Sequence, residues 1–148
     1  TPSSVPMPDD SEWSEEIVEI VDRFQSCFDD MERLELLFEY AEKHPSSLPM
    51  DMWNDENMVH GCQSRAHVVC SLNDGGRFMA EGGADAQIVQ GLMAITAIAV
   101  NGQPPEKVAE HDPSYIEGMG LSRILTPSRA NGFMNMVRKV KQEASSLM

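Results

Sequence analysis

The residues with the clearest chemical potential surround Cys62, within the segment 60–64. Gly61 frees the backbone to turn sharply, so we expect Cys62 to be displayed on a loop. A thiol has an ordinary pKa of about 8.5 and is partly thiolate at neutral pH. His60, Arg65 and nearby N–H groups would lower that pKa further. The segment therefore favours a reactive thiol, with an inert loop thiol as the alternative.

Thiol exchange with a sulfur atom of another protein is the chemistry that asks least of Cys62. It needs only an accessible thiolate and a docking surface. A cysteine hydrolase would need a held histidine base and an oxyanion hole, and no known local signature surrounds Cys62. A redox switch would favour a resolving cysteine, but Cys70 falls on a predicted strand that points it inward. A metal-binding module of Cys62, Cys70, His60 and His67 is a further alternative, although the spacing matches no zinc pattern.

Composition narrows the class of protein. The chain has 148 residues, 41% of them hydrophobic, which suits one globular domain. Its formal net charge of −13 disfavours binding to nucleic acid or to membrane surfaces. No apolar run reaches about 18 residues and the first ten residues do not resemble a secretory signal. The three cysteines include no CxxC pair, so we expect reduced thiols and a cytoplasmic location.

The charge is unevenly distributed along the chain. Residues 9–42 contain 13 acids and 2 bases, whereas residues 120–148 contain 5 bases and 1 acid. The simplest interpretation of these charged segments is that they form helix faces exposed to solvent. A basic end that docks on an acidic protein partner is the alternative.

Helical periodicity dominates the first third of the chain. Residues 1–13 are rich in Pro, Ser and Asp and are predicted to be a disordered lead-in. Apolar residues at helical spacing from Ile17 to Met31 predict a first helix with Cys27 in the core. Asp30 is the expected cap of a second helix, which Pro45 ends.

The remainder predicts a hairpin followed by helices. Strands are expected at 65–71 and 77–81 around a turn at 73–76. Asp85 is the expected cap of a buried helix that stops at Gly102, followed by a short helix at 104–110 and a helical turn at 115–119. Thr126 and Pro127 begin the last helix. The fold class is therefore α+β, with a small antiparallel sheet packed against several helices in a single domain.

Three motifs occur in an order and spacing typical of one family. They are Gly-Cys-Gln-Ser at 61–64, the segment 82–92 that begins Gly-Gly-Ala-Asp, and Leu-Thr-Pro-Ser-Arg at 125–129, which is followed by Gly132. Weaker matches lie at 30–33 and 48–49. Over residues 14–146 the sequence resembles the SufE family of sulfur acceptors. This resemblance implies a SufE-like domain over residues 14–148.

The resemblance also implies a function. A pyridoxal-phosphate-dependent cysteine desulfurase of the SufS or CsdA type would hold sulfur as a persulfide, and Cys62 would accept it. The chain would stimulate the desulfurase and deliver sulfur to an iron–sulfur scaffold of the SufBCD type. It would be a carrier and activator with no independent turnover and no cofactor or metal of its own, since the pyridoxal phosphate belongs to the desulfurase. A regulatory partner that carries no sulfur is the alternative.

Residue roles follow from the matched positions. Gly61, Gln63 and Ser64 are expected to shape the Cys62 loop. Asp85 matches an acidic position beside the loop, where it would hold the loop closed or simply cap its helix. Arg129 matches an arginine expected to contact the desulfurase, with an ordinary solvated arginine as the alternative.

Two positions depart from the family pattern. His67 replaces a usual Trp, and Met31-Glu32 replaces a usual Trp-Glu. The Gln-Ser pair favours the SufE branch over its CsdE relative.

Overall fold

The computed structural model describes residues 15–43, 47–59, 65–111, 115–121 and 124–147. In these ranges it has six α-helices and one antiparallel hairpin. The elements are α1 (Glu15–Gln25), α2 (Asp30–Glu42), β1 (Ala66–Leu72), β2 (Phe78–Ala84), α3 (Gln87–Val100), α4 (Pro105–Ala109), α5 (Tyr115–Gly118) and α6 (Pro127–Ser146). A 3₁₀ turn covers Met50–Met52. The α+β prediction is confirmed, while the predicted lead-in at 1–13 lies outside the described residues.

Helix α3 is the centre of the fold. Ten of its 14 residues are buried, as expected for a helix that is apolar on all sides. It packs against α1, α2, α6 and β2. Helices α2 and α3 approach closely at Gly91, where an added Cβ would lie 2.6 Å from the Leu37 carbonyl oxygen of α2. Helix α3 ends before Gly102, whose φ of +83° is the left-handed conformation expected after a helix.

The hairpin packs one face on α3. Ala66 pairs with Ala84 at one end of the register and Leu72 with Phe78 at the other. Strand β2 extends three residues past the predicted end, through Gly82 and Gly83. A Cβ at Gly82 would overlap the Met93 side chain of α3, so this glycine allows the sheet and the helix to approach closely.

The predicted end of the first helix is wrong. Helix α1 stops at Gln25, and Cys27 is only partly buried, outside the core. Phe28 and Met31 are 90% and 65% exposed, so the apolar periodicity continued past the helix. The cap of α2 is Asp29 and not the predicted Asp30, since the Asp29 side chain accepts a hydrogen bond from the Glu32 N–H at 2.9 Å. Helix α2 ends at Glu42, before Pro45, which lies outside the described residues.

The last helix was correctly predicted. The Thr126 side chain accepts a hydrogen bond from the Arg129 N–H, and Pro127 occupies the first helical position. The inward residues Phe133, Met136, Val137, Val140 and Ala144 are all buried. Over the part of the chain that the structure covers, no helix combines the length and the apolar character that a membrane crossing requires.

Candidate functional site

The Cys62 segment is bounded by two stems that are hydrogen-bonded to each other. The Val59 N–H donates to the Ala66 carbonyl at 2.8 Å, and Met58 forms an antiparallel bridge with His67. Residues 60–64, which include Gly61, Cys62, Gln63 and Ser64, lie outside the described residues. In the sequence, Cys62 is the third residue after Val59 and the third before Arg65, so the two described stems adjoin its segment on both sides.

Asp85 binds the second stem. Its carboxylate accepts a hydrogen bond from the Arg65 N–H at 3.0 Å, and its own N–H donates to the Arg65 carbonyl at 3.0 Å. Asp85 does not cap α3: the capping position is Ala86, with no side-chain hydrogen bond. Of the two roles expected for Asp85, the helix cap is therefore wrong, and its role in holding the Cys62 loop closed stays a prediction. The two residues are 20 positions apart, so only the hairpin brings them together.

A covering segment, residues 47–59, lies over the sheet face that is turned away from α3. At one end, Leu48 donates its N–H to the Gly82 carbonyl, and at the other the segment pairs with β1. The Trp53 indole N–H donates to the Leu48 carbonyl at 3.1 Å, and the ring lies against Gly83. The segment therefore runs from the outer edge of β2 to the outer edge of β1, where the Cys62 segment begins.

His67 is buried beneath this covering segment. Its ring stacks on Trp53 with centroids 4.8 Å apart, and its Nδ1 lies 2.7 Å from Asn57 Oδ1 and 3.1 Å from the Asn54 carbonyl. Asn57 Oδ1 already accepts the Asn54 N–H, so it is an acceptor and Nδ1 carries the proton. Burial lowers the pKa of His67, which keeps the ring neutral. Its Nε2 is buried and has no hydrogen-bond partner among the described residues.

Arg65 connects the stem to the covering segment. Its guanidinium lies over the Trp53 ring, 5.3 Å from the centroid, a cation–π contact. Its position in the sequence indicated a positive charge near Cys62, but no sequence signal pointed to Trp53. That residue lies in a stretch with no periodicity, and its contacts with His67 and Gly83 depend on tertiary packing.

The two described cysteines have thiols that resist ionisation. Cys70 packs against the core, and burial, followed by the nearby Glu143 carboxylate, raises its pKa to about 12. Burial also raises the pKa of Cys27, and its Sγ donates to the Arg23 carbonyl at 3.5 Å. Both thiols are free.

Arg129 lies in the first turn of α6. One guanidinium nitrogen, Nη1, is buried, and within the described part of the chain it has no hydrogen-bond partner. A buried cationic donor without a partner is costly, which is why such groups are usually paired. Arg129 therefore differs from the ordinary solvated arginine that was the alternative expectation.

The described residues offer no cluster of three His, Cys, Asp or Glu side chains suited to a metal ion. His67, one member of the alternative metal set, directs Nδ1 to Asn57 and Asn54. The other candidate ligands, His60 and Cys62, are outside the described residues.

Comparison with known proteins identifies the family. Residues 18–144 match the SufE model, described as an Fe–S metabolism associated domain. An uncharacterized SufE-like protein of Synechocystis sp. is 37% identical over 133 residues, covering 86% of this chain and 79% of the relative. A hypothetical protein from Thermus thermophilus, solved in solution, has the same fold, with a TM-score of 0.72 and 24% identity over 89% of this chain and 95% of that chain. The chain belongs to the SufE family, and its class is that of Fe–S metabolism proteins.

Proposed function

We propose that this protein accepts sulfane sulfur on Cys62 from a pyridoxal-phosphate-dependent cysteine desulfurase and passes it to an iron–sulfur assembly scaffold. The observation that carries the proposal is the SufE family match across residues 18–144, a range that contains Cys62. The desulfurase would be of the SufS or CsdA type and the scaffold of the SufBCD type. The protein itself acts as a carrier and activator, without turnover of its own.

The transfer is a thiol exchange that conserves electrons. The Cys62 thiolate attacks the terminal sulfur of the desulfurase persulfide and forms a new S–S bond. The original S–S bond breaks, and its electron pair remains on the desulfurase cysteine as a thiolate. Cys62 then carries the persulfide until a second thiolate, on the scaffold side, attacks it in the same way. The cytoplasm suits this chemistry because reducing conditions there keep thiols free.

The other two thiols support the choice of Cys62. Attack requires the thiolate, and a thiol with a pKa of about 12 has almost none at neutral pH, which disfavours Cys70. The pKa of Cys27 is also raised, which lowers its thiolate fraction and disfavours Cys27 as the sulfur acceptor.

The proposed loop-shaping roles rest on the stems. The hydrogen bonds between Asp85 and Arg65 hold the second stem beside the end of β2. That Gly61, Gln63 and Ser64 shape the loop is part of the proposal. We assign Arg129 to partner binding. The support for this role is its place in the Leu-Thr-Pro-Ser-Arg motif, within the residues that match the SufE family.

Stimulation of the desulfurase separates a carrier from a purely regulatory partner. We would measure alanine released from cysteine by a cysteine desulfurase, with wild type and with Cys62→Ser. A carrier removes the persulfide and regenerates the desulfurase thiolate, so Cys62→Ser should abolish the stimulation, while Cys27→Ser should retain it. Full stimulation by Cys62→Ser would overturn the carrier role and favour the regulatory alternative.

A further inference from the structure

An exposed aromatic residue stands at the junction of α1 and α2. Phe28 is 90% exposed and Met31 is 65% exposed, the largest exposed fractions among the large hydrophobic side chains of the described residues apart from Met50. We define the Phe28 corner as Phe28, Asp29, Met31, Glu32 and Glu35. Large apolar side chains that are exposed close together in the sequence, three positions apart here, are candidates for an interaction site.

Hydrogen bonds hold the backbone of the Phe28 corner in place. Asp29 accepts from the Glu32 N–H at 2.9 Å, and Glu32 Oε2 in turn accepts from the Phe28 N–H at 3.1 Å. The preceding turn is also bonded, since the Ser26 hydroxyl donates to the Asp22 carbonyl at 2.9 Å. The corner therefore presents Phe28 on a fixed backbone. An aromatic side chain on a fixed backbone has few rotatable bonds left to order on binding.

An acidic groove of about 530 Å³ adjoins the Phe28 corner. It runs between α1 and α2, and Glu32 and Cys27 both line it, which places Phe28 at its edge. Its lining includes five carboxylate residues: Glu19, Asp22, Glu32, Glu35 and Glu39. Arg23, the cation in the lining, already donates to the Tyr40 hydroxyl at 2.7 Å and lies 3.8 Å from Glu39. The groove consequently keeps an excess of negative charge.

We propose that the Phe28 corner is a docking surface for a basic protein segment that covers Phe28 and Met31 with apolar side chains and places its cations along the acidic groove. Burial of the aromatic ring would supply the anchor, and the carboxylates would supply orientation and a fast encounter. A second copy of this chain is disfavoured as the occupant, because two molecules of net charge −13 repel each other.

The test uses the full-length protein and two synthetic helical peptides. One carries leucines along one face and lysines elsewhere. The other has the same lysines, with glutamine in place of each leucine. Binding is followed by chemical-shift mapping and by isothermal titration. The proposal predicts that the leucine peptide binds with shifts centred on Phe28, Met31 and Glu35, and that the glutamine peptide binds at least about tenfold more weakly.

Variants locate the binding surface. Phe28→Ala should weaken binding of the leucine peptide at least about tenfold, whereas Leu72→Ala, at another exposed apolar site, should leave this binding unchanged. Glu35→Gln should weaken binding more than Glu106→Gln, which changes a carboxylate on α4. Because Phe28 makes few contacts, Phe28→Ala should keep the wild-type circular dichroism and unfolding midpoint.

Three results would overturn the proposal. Equal binding of the two peptides would mean attraction by net charge alone. Shifts centred outside the Phe28 corner would place the surface elsewhere. Self-association of the wild type that Phe28→Ala abolishes, measured by sedimentation, would make a second copy the occupant.

Discussion

Replacement of Asp85 by alanine removes one of the two hydrogen bonds that hold the second stem of the Cys62 segment. The lost bond joins the Asp85 carboxylate to the Arg65 N–H at 3.0 Å, while the backbone bond from the Asp85 N–H to the Arg65 carbonyl remains. We therefore expect the stem to loosen rather than to detach. Because Asp85 is exposed, the net contribution of the lost bond is taken as about 1 kcal/mol.

Amide hydrogen exchange measures this loosening directly. A loss of about 1 kcal/mol raises the open population roughly fivefold, so the N–H of residue 85, whose bond to the Arg65 carbonyl remains, should exchange about fivefold faster in Asp85→Ala. The Arg65 N–H loses its acceptor in this variant and should exchange faster still. The global unfolding midpoint should fall by no more than about 4 °C. Asp85→Asn keeps a side-chain oxygen acceptor and should lie between the wild type and the alanine variant. Asp74→Ala, in the exposed hairpin turn, is the matched control and should leave Arg65 unchanged. Unaltered exchange of Arg65 in Asp85→Ala would refute the role of this carboxylate in the stem.

Three further predictions test packing and ionisation. Gly91→Ala should lower the free energy of unfolding in urea by about 1–3 kcal/mol, since the added Cβ meets the main chain of α2. Gly75→Ala is the control and should lower it less, because the nearest atom to the added Cβ lies 3.5 Å away. A stabilised Gly91→Ala would contradict the close helix packing. Because its pKa is about 12, the Cys70 thiol should not react with iodoacetamide at neutral pH in the folded protein, and it should react after unfolding. Mass spectrometry would measure the labelling. Rapid labelling of Cys70 in the folded protein would contradict its burial. The pKa of His67 is lower in the folded protein than in the unfolded chain, so the unfolded chain binds the proton more readily. The contribution of the neutral His67 ring to the free energy of unfolding is therefore fully present above about pH 6.5 and is lost as the pH falls below that value. The free energy of unfolding of His67→Phe should accordingly depend less on pH than that of the wild type between about pH 7.5 and 5.5, and an equal dependence would refute the burial argument.

Helix caps, turn residues and apolar runs in the sequence correctly predicted the elements that depend on interactions between neighbouring residues. Thr126 and Pro127 start α6 because a hydroxyl cap and a proline at the first position act within one turn. The turn at 73–76 and the stop at Gly102 follow from the same kind of short-range preference. The buried helix was predictable because nearly every position from Ile88 onward is apolar.

Competing local signals explain the errors. Asp29 and Asp30 are both good caps, and only the chain direction set by the Phe28 and Glu32 hydrogen bond selects Asp29. Apolar spacing alone could not show that Phe28 faces solvent, because periodicity does not reveal where a helix axis ends.

Long-range pairing explains what could not be predicted at the site. Asp85 is a residue type that often caps a helix, but its carboxylate accepts a hydrogen bond from the Arg65 N–H across the hairpin. The stack of Trp53 on His67 joins residues 14 positions apart and depends on the path of the covering segment. Neither contact leaves a local pattern. The identity of Cys62 as the candidate thiol came instead from Gly61 and from the resemblance to the SufE family.

The most direct test of the proposed function is the mass of the intact protein after incubation with a cysteine desulfurase and cysteine. The proposal predicts one added sulfur on the wild type and on the Cys27→Ser/Cys70→Ser double variant, removable by a reducing agent, and none on Cys62→Ser. Sulfur added to Cys62→Ser, or none on the wild type in the presence of an active desulfurase that the protein binds, would contradict the assignment of Cys62 as the sulfur acceptor.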